Sequence, residues 1–118
     1  MSSCYGNIGV VHFEQGNYPK AIEYYLKSLK IFEELGDKKG MSFCYNNIGI
    51  VHSDQGNYPK AIEYYLKSLK IYEELDDKNG MSSCYNNIGI VHKEQGNYDK
   101  AIEYYLRGLC HFLDQIPG

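Results

Sequence analysis

The chain repeats itself at a fixed step of 40 residues. GNYPKAIEYYLKSLKI occupies 16–31 and recurs letter for letter at 56–71, and GNYDKAIEYYLRGL begins at Gly96. A second phrase keeps the same step: SSCYGNIGVVH from Ser2, SFCYNNIGIVH from Ser42 and SSCYNNIGIVH from Ser82. The chain therefore divides into units 1–36, 37–76 and 77–118. Self-similarity at a period of roughly 20 to 50 residues marks a solenoid or array. Each unit then buries its apolar face against its neighbours, and no single central core is expected.

Each unit reads as two helices. In residues 2–15, Cys4, Ile8, Val11 and Gln15 share one stripe, which Tyr5 and His12 widen. Spacings of three and four belong to a helix and not to a strand. Gly16 supplies a left-handed stop, Asn17 caps the next helix, and Pro19 sits in its first turn, where a missing N–H is harmless. In residues 18–35, Ala21, Ile22, Tyr25, Leu26, Leu29 and Phe32 form the apolar face, with Glu23 and Lys27 paired on the polar side. Gly36 closes this helix and Asp37 caps the following one. The pattern predicts further helices over 38–55, 58–75, 78–95 and 98–115, with Phe112 and Ile116 keeping the spacing before Pro117-Gly118. Connections this short force antiparallel neighbours.

Composition narrows the function classes. A net charge of −3 argues against a nucleic-acid partner held through phosphates. No apolar run is long enough to cross a membrane, so no membrane partner is expected. Three of the four cysteines fall on one repeat position (Cys4, Cys44 and Cys84) and Cys110 stands apart. That pattern is not a disulfide framework, and the four read as small, buried, reduced thiols of a cytoplasmic chain. His12, His52 and His92 repeat too. A Cys and a His eight apart on one helix lie about 12 Å apart, too far for one ion. No metal, cofactor or catalytic set is expected, and the chain does not read as an enzyme.

The unit resembles a tetratricopeptide repeat, whose pattern runs Trp-x2-Leu-Gly-x2-Tyr, Ala-x3-Phe, Pro. Tyr5, Ile8, Gly9, His12, Gly16, Tyr18, Ala21 and Tyr25 fall on it in the first unit, and their counterparts 40 and 80 residues on repeat the match. Tyr stands for the Trp and His for the next Tyr. The longer period and the Asn-Asn-Ile-Gly phrase are similar to kinesin light chain and spindle-orientation adaptor repeats. The resemblance implies an all-α, right-handed superhelical solenoid of three antiparallel helix pairs, with Gly9, Gly49 and Gly89 facing Ala21, Ala61 and Ala101.

It also implies a binding groove along residues 3, 6, 7, 10, 13 and 14 and their counterparts. Asn7, Asn47 and Asn87 recur there, joined by Asn46 and Asn86. A primary amide both donates and accepts, so it can hold the backbone of an extended peptide; in relatives an asparagine at this place often does so. Val10, Ile50 and Ile90 run beside the amides, and Phe13 and Phe43 are expected to meet where units one and two join. Lys93 is the sole basic residue of the stripe, opposed by Glu14, Asp54 and Glu94. Some relatives clamp a C-terminal carboxylate on this face; the matching places here hold Gly6, Val10, Ser83 and Asn87, with only Asn47 in keeping, so no such clamp is expected. The partner is thus expected to be a protein or peptide segment. The alternative is a structural module that self-associates, head to tail or as a dimer, through uncapped terminal helices. An engineered or excised array without its own ligand is also compatible with the sequence.

Overall fold

A computed structural model describes residues 2–113 and consists, among the described residues, of six helices with no strand. They are α1 (Ser2–Glu14), α2 (Tyr18–Leu35), α3 (Lys38–Asp54), α4 (Tyr58–Glu74), α5 (Lys78–Glu94) and α6 (Tyr98–Leu113). The readings placed on Met1, Ile116 and the Pro117-Gly118 end fall outside the described residues, as do the side chains of Cys4 and Phe112.

The ends of the helices follow from local chemistry. Gly16, Gly56 and Gly96 take φ of 78°, 78° and 80°, which lets each first helix close. At the first of these turns Gly16 N–H donates to Phe13 C=O at 3.0 Å and Asn17 N–H to His12 C=O at 2.8 Å, the paired bonds of a left-handed cap. Between units Gly36 does the same with φ 69°, while Asp76 adopts φ 53° in its place, a conformation that Asp tolerates better than most side chains. The Asp37 and Asp77 carboxylates accept from Gly40 and Gly80 N–H, each at 3.0 Å.

Consecutive helices form antiparallel hairpins α1–α2, α3–α4 and α5–α6, which stack through α2 on α3 and α4 on α5. The buried clusters lie across those junctions. Ala21 and Tyr25 meet Ile48 and Val51, and the same residues one step on, Ala61 and Tyr65, meet Ile88 and Val91. A third cluster joins Leu69 to Met81 and Cys84. Burial differs between the outer and the inner helices. Ile8 and Val11 are 39% and 52% exposed, where Ile48 and Val51 are 0% and 1%. On α6, Leu109 is exposed, whereas Leu29 and Leu69 are buried.

The recurring mid-helix glycines make room for aromatic rings. A Cβ at Gly9 would lie 2.8 Å from the Tyr25 ring, and one at Gly49 would lie 2.7 Å from Tyr65 and 3.2 Å from the Ala61 carbonyl. The tyrosine, rather than the expected alanine, is thus the main partner. A second set went unread in the sequence: the rings of Phe32 and Tyr72 cover Gly40 and Gly80.

Several side chains depart from expectation. Leu26, Leu66 and Leu106 sit at the edge of the apolar face and are exposed, and Gln15 lies beyond its stripe. Cys110 is exposed, unlike Cys44 and Cys84. Lys27 lies 4.8 Å from the Tyr24 ring centre, and Glu23 pairs with Lys20 at 3.7 Å, so the anticipated Glu23–Lys27 pair does not form. Serines within helices are part of the core. Ser68 Oγ donates to Ser42 C=O at 2.9 Å, Ser82 Oγ to Gly108 C=O at 2.9 Å, and Cys84 Sγ approaches Ser68 Oγ at 3.5 Å. Hydrogen-bonded hydroxyls of this kind satisfy polar groups that would be expensive to bury alone.

Two glycines separate propensity from packing. Gly6 has nothing near its missing Cβ, so Gly6→Ala is expected to raise stability by up to about 1 kcal/mol. Gly49→Ala meets the buried Tyr65 ring and is expected to lower it by about 1–2 kcal/mol net. Urea unfolding of both variants checks this, and an equal gain for the two would contradict the ring-on-glycine contact.

Candidate functional site: a groove along the first helices

The first helices of successive units run side by side, with α3 touching α5. Asn87 Nδ2 donates to Asn46 Oδ1 at 2.9 Å and ties these two helices together. Their shared face holds two hollows of about 250 Å³ each. The first is lined by Val10, Phe13 and Glu14 of α1, Tyr25 of α2, and Asn47 and Ile50 of α3. The second is lined by Ile50, Ser53 and Asp54 of α3, Tyr65 of α4, and Asn87 and Ile90 of α5.

Each hollow is built the same way. Helical spacing brings positions 10, 13 and 14 to one side of α1 and positions 50, 53 and 54 to one side of α3. The next unit contributes its asparagine and aliphatic residue. The buried tyrosine beneath belongs to the second helix and is held by its glycine. Burial, first, and the nearby Cys44 and Glu14 charges push the Tyr25 phenol above its ordinary pKa, so Glu14 and Tyr25 share one environment. Tyr65 is pushed up in the same way, by burial and then by Asp54 and Cys84. Both phenols therefore stay protonated and able to donate a hydrogen bond at neutral pH.

Of the residues singled out in the sequence, Val10, Phe13, Asn47, Ile50, Asn87 and Ile90 line these hollows. Asn7 and Asn86 are exposed, and Asn86 Oδ1 lies 3.2 Å from where a Cβ on Gly108 would sit. Asn46 is engaged with Asn87, so the five amides do not form one uniform row. Lys93 is exposed and lines neither hollow. Phe43 does not join Phe13. It lines a separate hollow of about 330 Å³ with Phe32 and Tyr72, while Phe13 packs on Tyr18 at 5.9 Å. The physical reason is that α1 and α3 run side by side in the same direction. Position 13 near the end of one then cannot meet position 43 near the start of the other. Tyr25 and Tyr65, core positions by their spacing, line the hollows although each is only 3% exposed.

The recurring histidines and cysteines serve packing. His12, His52 and His92 stack on Tyr24, Tyr64 and Tyr104 with ring centres 5.5, 5.5 and 5.4 Å apart. The buried Nδ1 of each has no hydrogen-bond partner. Burial raises the Cys84 thiol to about 11, so it is protonated at neutral pH. Among the described residues no group of three or more His, Cys, Asp or Glu could hold a metal ion, and no helix is long and apolar enough to cross a membrane.

Two of the stacked histidines, His52 and His92, are expected to make stability fall in acid. Burial, then the charges of Lys60 and Lys100, hold His52 and His92 below their ordinary value of 6.5. As pH drops through that value the unfolded chain takes up protons before the folded one, so unfolding is favoured. Thermal melts at about pH 7.5 and about pH 5.5 are expected to show a lower midpoint in acid. The loss should be smaller for His52→Gln with His92→Gln, and an unchanged slope in that variant would contradict the assignment.

Comparison with known proteins agrees with this architecture. The family model described as tetratricopeptide repeat matches residues 1–74 and again 45–109. No curated protein sequence matches the chain. Among solved structures, the TPR domain of Arabidopsis FLU superposes with a TM-score of 0.85 at 20% identity, covering 97% of this chain and 96% of that one. BtubC (BKLC) from P. vanneervenii gives 0.84 at 24% identity, covering 99% of this chain and 48% of that one. The TPR2AB domain of yeast Sti1, in complex with pHSP90, gives 0.82 at 24% identity, covering 94% of this chain and 41% of that one. The chain thus spans about half of BtubC and nearly all of the FLU domain, and the likeness in each case is one of fold.

Proposed function

The chain belongs to the tetratricopeptide repeat family, and from that premise we propose that it is a non-enzymatic protein-interaction scaffold that holds an extended peptide segment along the face of α1, α3 and α5. The observation that carries this reading is the pair of equivalent hollows, each offering a side-chain amide, a phenol and two aliphatic residues. Asn47 and Asn87 hold the peptide backbone. Val10, Ile50, Ile90 and Phe13 receive its side chains. Asn46 positions Asn87 and does not itself bind. The Sti1 domain in complex with pHSP90 supports the reading at the level of fold. At a net of about 0.5–1.5 kcal/mol for each hydrogen bond the amides supply only a few kcal/mol, short of the roughly 8 kcal/mol of a micromolar complex, so the apolar contacts carry most of the affinity.

A peptide-display screen of the purified chain, run beside Asn47→Ala with Asn87→Ala, tests this. Enriched peptides are expected to lose about ten-fold or more in affinity for the double variant, at roughly 1 kcal/mol for each amide. Equal binding by both proteins would remove the amides from the mechanism.

A second reading rests on the exposed ends. The half-buried Tyr105 and the exposed Leu109 of α6 repeat Tyr65 and Leu69 of α4, on the face that receives α5, while Ala101 is buried as Ala61 is. The exposed Ile8 and Val11 of α1 repeat Ile88 and Val91, which that face takes. A second copy would then stack head to tail on α6. Under this reading sedimentation shows a mass that rises with concentration and a return to monomer with Val11→Asp, a change at an exposed site that leaves the junctions within the chain intact. A constant monomer mass over the range would exclude it.

A further inference from the structure

The two hollows correspond residue by residue at the 40-residue step: Val10 with Ile50, Phe13 with Ser53, Glu14 with Asp54, Tyr25 with Tyr65, Asn47 with Asn87, and Ile50 with Ile90. Resting on the groove reading above, we propose that the peptide it takes carries two basic side chains, lysine or arginine, three residues apart, one in each hollow.

The chemistry of the lining selects such side chains. Aliphatic walls suit a long methylene stem, and a carboxylate at each hollow suits a cation at the end of that stem. Glu14 and Asp54 are in no ion pair among the described residues, so neither charge is already neutralised by the protein. The first hollow adds the Phe13 ring, which attracts a cation over its face, and the second substitutes the Ser53 hydroxyl. The net charge of −3 favours a basic partner over an acidic one.

Spacing sets the step between the two basic residues. The hollows repeat at the step between successive first helices; α3 touches α5, and helices in contact lie about 8–10 Å apart. Three residues of an extended, polyproline-like segment advance about 9 Å and return to the same side. Side chains at the first and fourth of four successive places therefore reach neighbouring hollows. The third unit breaks the series: Lys93 stands where Phe13 and Ser53 stand in the first two, which disfavours a third basic residue.

Titration of the intact chain by fluorescence anisotropy tests this with four capped nine-residue peptides on one leucine and serine background. They carry lysine at the third and sixth places, glutamine at both, glutamate at both, or lysine at the third and fourth. The carboxylates are exposed, so each lysine is expected to contribute a two- to five-fold gain. The third-and-sixth lysine peptide should bind about ten-fold tighter than the glutamine peptide, and tighter than the peptide with adjacent lysines. That gain should disappear in Glu14→Gln with Asp54→Asn and shrink in high salt. Equal binding of the lysine and glutamine peptides, a preference for glutamate, equal binding of the two lysine spacings, or a gain that survives the double variant would each overturn the proposal while leaving groove binding in place. Failure of all four peptides to bind would overturn the groove reading as well.

Discussion

A tyrosine ring laid against a bare glycine backbone is the contact on which the rest of this molecule depends. Tyr25 covers Gly9, Tyr65 covers Gly49 and Tyr105 covers Gly89. The glycine lets the two helices of a unit approach closely, despite the roughly 1 kcal/mol that it loses in helix propensity relative to Ala. Tyr25 and Tyr65 also close the junction with the next unit, against Ile48 with Val51 and against Ile88 with Val91. The same two side chains then line the two groove hollows. One residue type thus sets the hairpin, the stack and the floor of the proposed site.

Because the apolar clusters lie across junctions, stability here is a property of neighbours. An inner unit has both faces covered, whereas α1 and α6 each present a face that would be buried in the middle of the array. Within the hairpins the Ser68 and Ser82 hydroxyls donate to carbonyls of the paired helix, and across the α4–α5 junction the thiol of Cys84 lies beside Ser68. Nothing in this design requires a long-range core, and repetition of one favourable junction is sufficient.

The sequence made the architecture legible because three copies of one pattern remove most of the ambiguity that a single helix pattern carries. Helix limits came within one or two residues wherever Gly, Asn, Asp and Pro mark the turns. Width of the apolar face was harder. Leu26 satisfies the helical spacing yet lies at the edge, since periodicity gives direction but not how far a neighbour reaches. Ser68 carries no apolar signal in the helical pattern, and its burial rests on the Ser42 carbonyl of another helix, which no local pattern reveals. In the groove the aliphatic and amide residues were readable from their recurrence. The tyrosine floor was not, because a side chain buried by its helical spacing can still line a hollow. Phe43 was misplaced for want of a relative direction between α1 and α3.

The most direct test of the proposed peptide groove is a nuclear magnetic resonance titration that follows the asparagine side-chain amides as a binding peptide is added. The account predicts that the amide resonances of Asn47 and Asn87 move together and saturate with the peptide, while backbone resonances on the outer faces of α2 and α4 stay in place. Shifts confined to the second helices, or to the exposed faces of α1 and α6, would contradict it.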